Sequence, residues 1–417
     1  MNKLPSVLMI GTGEYTTGYV HNAASTSDKG AGVVALTLFD LKRRGKVSQL
    51  KMVGTNGTKF PAIREHFAQC ISNRYANLDV NFESYPSNDV SCDPSAYLKA
   101  LDALEPGDLA TIFTPDPTHF EIAKEAVRRG VHVLLAKPLV KTLEEHLQLL
   151  QEAKKTNTLV ALEVHKRWDP IYVDARDRIL GLGDFSSFNS YMSQPKTQLE
   201  TFKSWASGSD ISYYLNAHHI DFHAWCMMGR ALPRSVYATA ATGVANSLGL
   251  RTEDTIALHV TWENLRSHNV GTATYTASWI APPSDVHSQQ RFFYMGQQGE
   301  TAVDQAHRGF TLATDDTGFS SVNPLFMKYT PSPNGEFVGQ TGYGYRSIES
   351  FVDAVTLINS AVCAPTDLSH KLALASDTLH VTAILEAGRR SLDTGKVQHI
   401  VHDTQHQPID IRSSENG

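Results

Sequence analysis

The feature that most constrains this chain is an alternation of short apolar runs with helix-like stretches over residues 1–165. Val7 to Ile10 is apolar and meets a glycine turn at Gly11 and Gly13. Leu50 to Thr55, Leu109 to Phe113, Val131 to Leu135 and Leu159 to Val164 are further runs of strand length. Between them, Ala62 to Cys70, His119 to Arg129 and Leu143 to Lys155 read as helices, and Ser27 to Gly45 as a helix ended by its glycine. Strands that alternate with helices pair in parallel through right-handed crossovers, which predicts a doubly wound sheet.

After residue 165 the period changes. Thr255 to Trp262, Thr272 to Ile280 and Arg291 to Tyr294 are alternating, β-rich stretches with little helix between them, as an open antiparallel sheet requires. Helical patterns return at Ser347 to Ser360 and His370 to Arg390, and the polar tail from about Asp403 reads as frayed. The fold class is therefore α/β: a Rossmann-type domain over residues 1–165 and an α+β domain with an open, mostly antiparallel sheet over 166–417. A length of 417 residues favours such a division over a single core.

Composition narrows the partners. No run of about 18 apolar residues is present to span a bilayer, and Met1 to Ser6 lacks the order of a secretory leader, so a cytoplasmic home is expected. Cys70, Cys92, Cys226 and Cys363 form no CxxC pair, which suggests neither zinc nor disulfides. A net charge of −6 offers no footprint for a nucleic-acid backbone. Small molecules are the expected ligands.

Gly11-Thr12-Gly13-Glu14-Tyr15-Thr16 carries the first two glycines of a dinucleotide turn, one for the tight bend and one for close approach to a pyrophosphate. Thr16 stands where a third glycine or alanine is usual. The second strand ends in Gly54-Thr55-Asn56-Gly57-Thr58-Lys59 without the carboxylate that reads an adenosine ribose. Asp40 is an alternative reader only if Val33 to Phe39 is a strand. The choice between NAD and NADP is open, with a lean to NAD because no arginine follows Asn56.

The run from Leu109 to Lys141 closely resembles the middle of the glucose-fructose oxidoreductase, inositol dehydrogenase and MocA family. The residues that carry the likeness are Thr114, Pro115 and His119, then Ala136, Lys137 and Pro138, with the segment from His165 to Pro170 and a histidine–aspartate pair beyond. The resemblance implies hydride transfer between a nicotinamide and a hydroxyl-bearing carbon of a sugar, inositol or sugar acid, by a homodimer or homotetramer built on the second sheet. It implies Lys137 and His218 as catalytic groups, with Asp221 as companion carboxylate. Cofactor contacts fall on Gly11, Thr12, Gly13, Glu14, Tyr15, Asn56, Thr114, Pro115, His119 and Lys137.

Two departures bear on the proton relay. Members carry Glu before the lysine and Asp four residues before the histidine, where this chain has Ala136 and Tyr214. Tyr214 or Asp210 is a candidate replacement, and Tyr214 joins the catalytic set. Substrate candidates are Lys137, His165, Lys166, Arg167, Lys196, His218 and His219, and the bland alternative for 165–167 is a solvated basic turn. His287, Arg291, Asp304 and His307 fit either a cleft or an interface, and Trp205, Trp225, Trp262 and Trp279 fit core or cleft wall. His219 and His223 share a metal-compatible spacing, but no further ligand is in the pattern and no metal is expected. Two other functions compete: a cofactor-holding sensor without turnover, and a redox-neutral glycoside cleavage that uses bound NAD.

Overall fold

The computed structural model describes residues 3–25, 27, 29–201, 208–315 and 318–414, so Trp205 lies outside the described residues. The chain divides into two compact units. The first comprises Met1–Ala136, Gln148–Trp168 and Pro324–Ala375, and the second Lys137–Leu147, Asp169–Asn323 and Ser376–Gly417.

The first unit is built on a six-stranded parallel sheet. Its strands are β1 (Val7–Ile10), β2 (Leu50–Val53), β3 (Glu83–Tyr85), β4 (Leu109–Ile112), β5 (His132–Ala136) and β6 (Val160–Glu163), in the order β3-β2-β1-β4-β5-β6. Strand order reverses between β1 and β4, the switch point at which open α/β sheets bind ligands outside their carboxyl ends. Both faces are covered, so β1, β2, β4 and β6 are buried at every residue and are apolar apart from Lys51, Thr111 and Glu163.

The first crossover helix is interrupted. Helix α1 (Glu14–Thr17) is a single turn closed by Gly18 in the left-handed region, and a short hairpin, Tyr19–Val20 with Ala23–Ala24, follows. The helix resumes as α2 (Val34–Arg43), whose approach is marked by Val33 N–H donating to the Tyr15 carbonyl at 2.9 Å. Because 34–43 is helix, the reading of Asp40 as a strand-end ribose ligand falls. Its fully buried carboxylate instead accepts from Tyr345 Oη at 2.6 Å and from the Arg43 guanidinium.

The second unit holds an eight-stranded sheet. Its strands are β7 (Phe185–Pro195), β8 (Ala231–Ala241), β9 (Thr255–Asn264), β10 (Val270–Ala281), β11 (Gln289–Gly296), β12 (Gly299–Asp304), β13 (Gln398–His402) and β14 (Pro408–Ser413), ordered β12-β11-β7-β10-β9-β8-β13-β14. All neighbours are antiparallel except β7 and β10. The tail expected to fray is the edge strand β14, held by pairs such as Ile400 with Ile411, and its polarity reflects an edge position. The helix expected from His370 starts only at Leu379, as α10 (Leu379–Thr394). His370 has positive φ, and Leu372 and Leu374 are spent in the first unit's core.

Helix α7 (Pro170–Ile179) begins at Asp169, whose Oδ1 accepts from Ile171 N–H at 3.1 Å. That carboxylate is fully buried and takes both ends of the Arg308 guanidinium, Nη2 to Oδ2 at 2.6 Å. Helix α8 (Ala217–Met227) is buried along its whole length, after one π-helical turn at Ser212–Asn216. A helix buried on all sides has no polar face, and so it shows no amphipathic period.

Candidate active site

The glycine turn is shaped by contacts that only glycine permits. Gly11 has φ +106°, and a Cβ there would sit 2.2 Å from the Phe113 carbonyl oxygen, whereas nothing stands within 4 Å of one added at Gly13. Backbone is thus packed on one side of the turn and approachable on the other, which fits a pyrophosphate. With α1 only one turn long, attraction for an anion rests on local amides rather than on an extended helix dipole. Thr16 is buried, and the Glu14 carboxylate accepts from Ser25 and, at 2.8 Å, from Ser27 Oγ, which ties the inserted hairpin to the turn. Tyr15 stacks on Phe113 with ring centroids 5.2 Å apart.

The other cofactor candidates cluster at carboxyl ends of neighbouring strands. Asn56, after β2, caps the next turn by accepting from Thr58 N–H at 2.9 Å. After β4, fully buried His119 donates from Nε2 to the Thr114 carbonyl at 2.9 Å, and Pro115 opens the short turn between them.

Lys137 follows β5 directly. In the second unit its ammonium donates to the Tyr214 backbone carbonyl and lies 3.7 Å from the centroid of the Tyr214 ring. The Tyr214 hydroxyl points elsewhere, receiving Gln194 Nε2 at 3.4 Å. The π-turn that carries Tyr214 is of a kind frequent at functional sites, and His218, only 8% exposed, lies about one turn further along. Asp210 is committed to Tyr213 N–H at 2.9 Å and Arg389 at 3.3 Å, and burial pushes its carboxyl up from the usual range. Asp221 is buried on α8.

His219 and His223 are core residues. His219 is fully buried with Nε2 2.8 Å from Tyr172 Oη, and His223 holds Tyr275 Oη at 2.6 Å. Burial pushes His223 down to about 3. Their imidazoles therefore serve different tyrosines, and among the described residues no group of three potential ligands surrounds a metal position. The solvated reading of 165–167 is overturned: Lys166 is 2% exposed and Arg167 8%, the latter directed at the Leu372 carbonyl at 3.4 Å. His165 keeps 16% of its side chain exposed, while Lys196 is exposed at the end of β7.

His287 meets Gln198 at 3.2 Å, Arg291 lies over Tyr191 at 5.4 Å, and His307 bridges Asp304 and Asp285 at 2.9 and 3.3 Å. Trp262 and Trp279 are core, and Trp225 packs under Arg176 at 4.3 Å. Sequence reasoning passed over Glu163, a buried carboxylate in the last position of β6. An apolar-run reading has no means to flag it, although an acidic residue closing a buried strand is itself a signal.

Residues 6–164 match the family described as "Oxidoreductase family, NAD-binding Rossmann fold". Among curated proteins, the uncharacterized oxidoreductase YdgJ of Escherichia coli is 30% identical over 118 residues, 27% of this chain and 34% of that protein. The NADP-dependent scyllo-inositol 2-dehydrogenase IolW of Bacillus subtilis is 22% identical over 250 residues, 55% of this chain and 66% of that protein. The matches thus span about a third and just under two thirds of those relatives. Solved structures agree along the chain in fold. GenD2 of gentamicin A biosynthesis, in complex with NAD, superposes with a TM-score of 0.64 at 18% identity over 96% of this chain and 97% of its own. Scyllo-inositol dehydrogenase from Lactobacillus casei, with NAD(H) and scyllo-inositol, does so with a TM-score of 0.60 at 13% identity over 95% and 99%. Over residues 6–164 the chain is thus similar to the glucose-fructose oxidoreductase, inositol dehydrogenase and MocA family of oxidoreductases, whose model describes an NAD-binding Rossmann fold.

Proposed function

We propose that the protein is an NAD(P)-dependent dehydrogenase or reductase acting on a hydroxyl-bearing carbon of a cyclic sugar, inositol or sugar acid. The observation that carries the reading is the ammonium of Lys137, seated on Tyr214 about one turn before His218. Relatives named as scyllo-inositol dehydrogenases support the substrate class.

A bound nicotinamide supplies the hydride acceptor or donor. Gly11, Thr12, Gly13, Glu14 and Tyr15 would hold the pyrophosphate side through their backbone, with Asn56, Thr114, Pro115 and His119 along the neighbouring strand ends. The ammonium of Lys137 donates to the substrate oxygen and steadies its negative charge as the carbon is oxidised. His218 takes the hydroxyl proton, or returns it in reduction. Tyr214 holds Lys137 by its ring face and carbonyl, which replaces the carboxylate absent at that position. His165 and Lys196 keep surface for substrate hydroxyls, whereas the burial of Lys166, Arg167 and His219 favours packing roles.

NAD is the preferred cofactor in this reading, because the end of β2 presents an amide at Asn56 and no arginine follows. The open face of the second sheet supports a homo-oligomer: Thr272, Thr274 and Thr276 of β10 lie beside Ala257, His259 and Thr261 of β9, uncharged at the centre. Mixing the protein with a panel of inositols, sugars and sugar acids, with NAD and with NADP, tests the assignment through nicotinamide absorbance. Turnover of at least one compound is expected. Undiminished rate in Lys137→Ala would overturn it. The absent carboxylates at 136 and 214 favour one competing reading, a sensor, which would bind dinucleotide without turning over any compound.

A further inference from the structure

Glu163 ends β6 with a side chain only 5% exposed, and burying a carboxylate costs several kcal/mol unless partners compensate. Its partners are specific. Ser347 Oγ donates to Oε1 at 2.8 Å, and the same oxygen lies 3.5 Å from Nδ1 of His165. The His165 ring is stacked on Tyr343, with centroids 5.5 Å apart at 26°, and is tilted against Phe326 at 5.3 Å. Phe326 also meets Tyr15 of the glycine turn at 6.5 Å. An aromatic wall thus runs from the dinucleotide turn to this imidazole within the first unit.

The register adds a second observation. Glu163 is the parallel partner of Ala136, the residue immediately before Lys137. A carboxylate is therefore present at the strand end beside the one that delivers the lysine.

We infer that Glu163 is a positioning residue: it orients His165 by accepting from Nδ1–H, so that Nε2, the lone-pair nitrogen, meets a substrate hydroxyl at the carboxyl edge of the sheet. A carboxylate beside one ring nitrogen sets which nitrogen carries the proton. Hydrogen bonds at such sites are often long without ligand and tighten only when it is present, which accommodates the 3.5 Å separation. This inference rests on the dehydrogenase reading, and its test separates the two.

The test combines long-range proton–nitrogen NMR on nitrogen-15-labelled full-length protein with steady-state kinetics. Wild type is expected to show His165 protonated at Nδ1. Glu163→Leu, of similar volume and without an acceptor, is expected to lose that tautomer and to raise KM for the polyol about tenfold, the worth of one hydrogen bond, with a smaller change in kcat. Ser347→Ala, which leaves the carboxylate in place, is expected to keep the tautomer. A His165 tautomer unchanged in Glu163→Leu overturns the inference. So does a changed tautomer with unaltered KM, which would mark a purely structural pair. If Glu163→Leu does not fold, His165→Asn is read instead, with the same tenfold rise expected and an unchanged KM overturning the role. Should wild type turn over no polyol, the dehydrogenase reading fails, while the tautomer still decides whether Glu163 orients His165.

Discussion

The Lys137 ammonium lies 3.7 Å from the centroid of the Tyr214 ring and donates to the carbonyl of the same residue. Both contacts use parts of tyrosine other than its hydroxyl. A cation over an aromatic face is worth roughly 0.5–2 kcal/mol, more where water is excluded.

Tyr214→Phe is accordingly expected to keep the wild-type rate within about threefold, since ring and carbonyl remain. Tyr214→Ala removes the ring and is expected to lower kcat/KM by about tenfold or more. Measuring both variants on one substrate decides the matter, and a large loss in Tyr214→Phe would show that the hydroxyl acts.

Lys137→Ala is expected to lower kcat by about 100-fold or more, the usual contribution of a group that handles charge or protons at the reacting oxygen. NADH affinity, followed by fluorescence, should change far less than kcat. Equal losses in affinity and kcat would mean that the lysine serves the cofactor alone.

The pair of Asp169 and Arg308 is buried, with side chains 0% and 5% exposed. Arg308→Ala leaves that carboxylate without its cation at the start of α7. The expected loss is about 3–5 kcal/mol of stability, read as a lower urea midpoint at neutral pH.

Acid should weaken the second unit through its buried histidines. His223 is packed against Phe185, Phe188 and Trp262, and burial pushes it down to about 3, as it does His380. The unfolded chain takes up those protons near pH 6.5. Between about pH 3 and 6.5 it therefore binds more protons than the fold, so stability is full above this window and falls as pH drops through it. For His223 the slope is about 1.4 kcal/mol per pH unit. Urea midpoints measured from pH 7 to 4.5 should decline, and His223→Gln should flatten the decline.

Thr274 lies mid-strand on the uncharged sheet face, opposite His259. Thr274→Arg is expected to shift the sedimenting species towards monomer if that face joins two copies. An unchanged mass would place any self-association elsewhere.

The sequence by itself determined the first sheet and its ligand-binding edge. Apolar runs of strand length with helices between them leave few arrangements other than parallel pairing, and the need for glycine at position 11 is local to its turn. Lys137 and His218 enter the proposed chemistry through the family resemblance, not through any local pattern of composition or period. The rest was decided by contacts between residues far apart in the chain. Asp40 looked available for a ribose and is instead locked to Tyr345. The buried helix around His219 shows no period because every face is covered, and the polar tail becomes a strand only through the partner it finds in β13. The alignment of Ala136 with Glu163, and the seating of Lys137 on Tyr214, come from sheet register and from a helix packed on a distant loop. Local propensity holds no information on either. Only the tertiary structure brings a carboxylate beside a strand end whose own sequence lacks one.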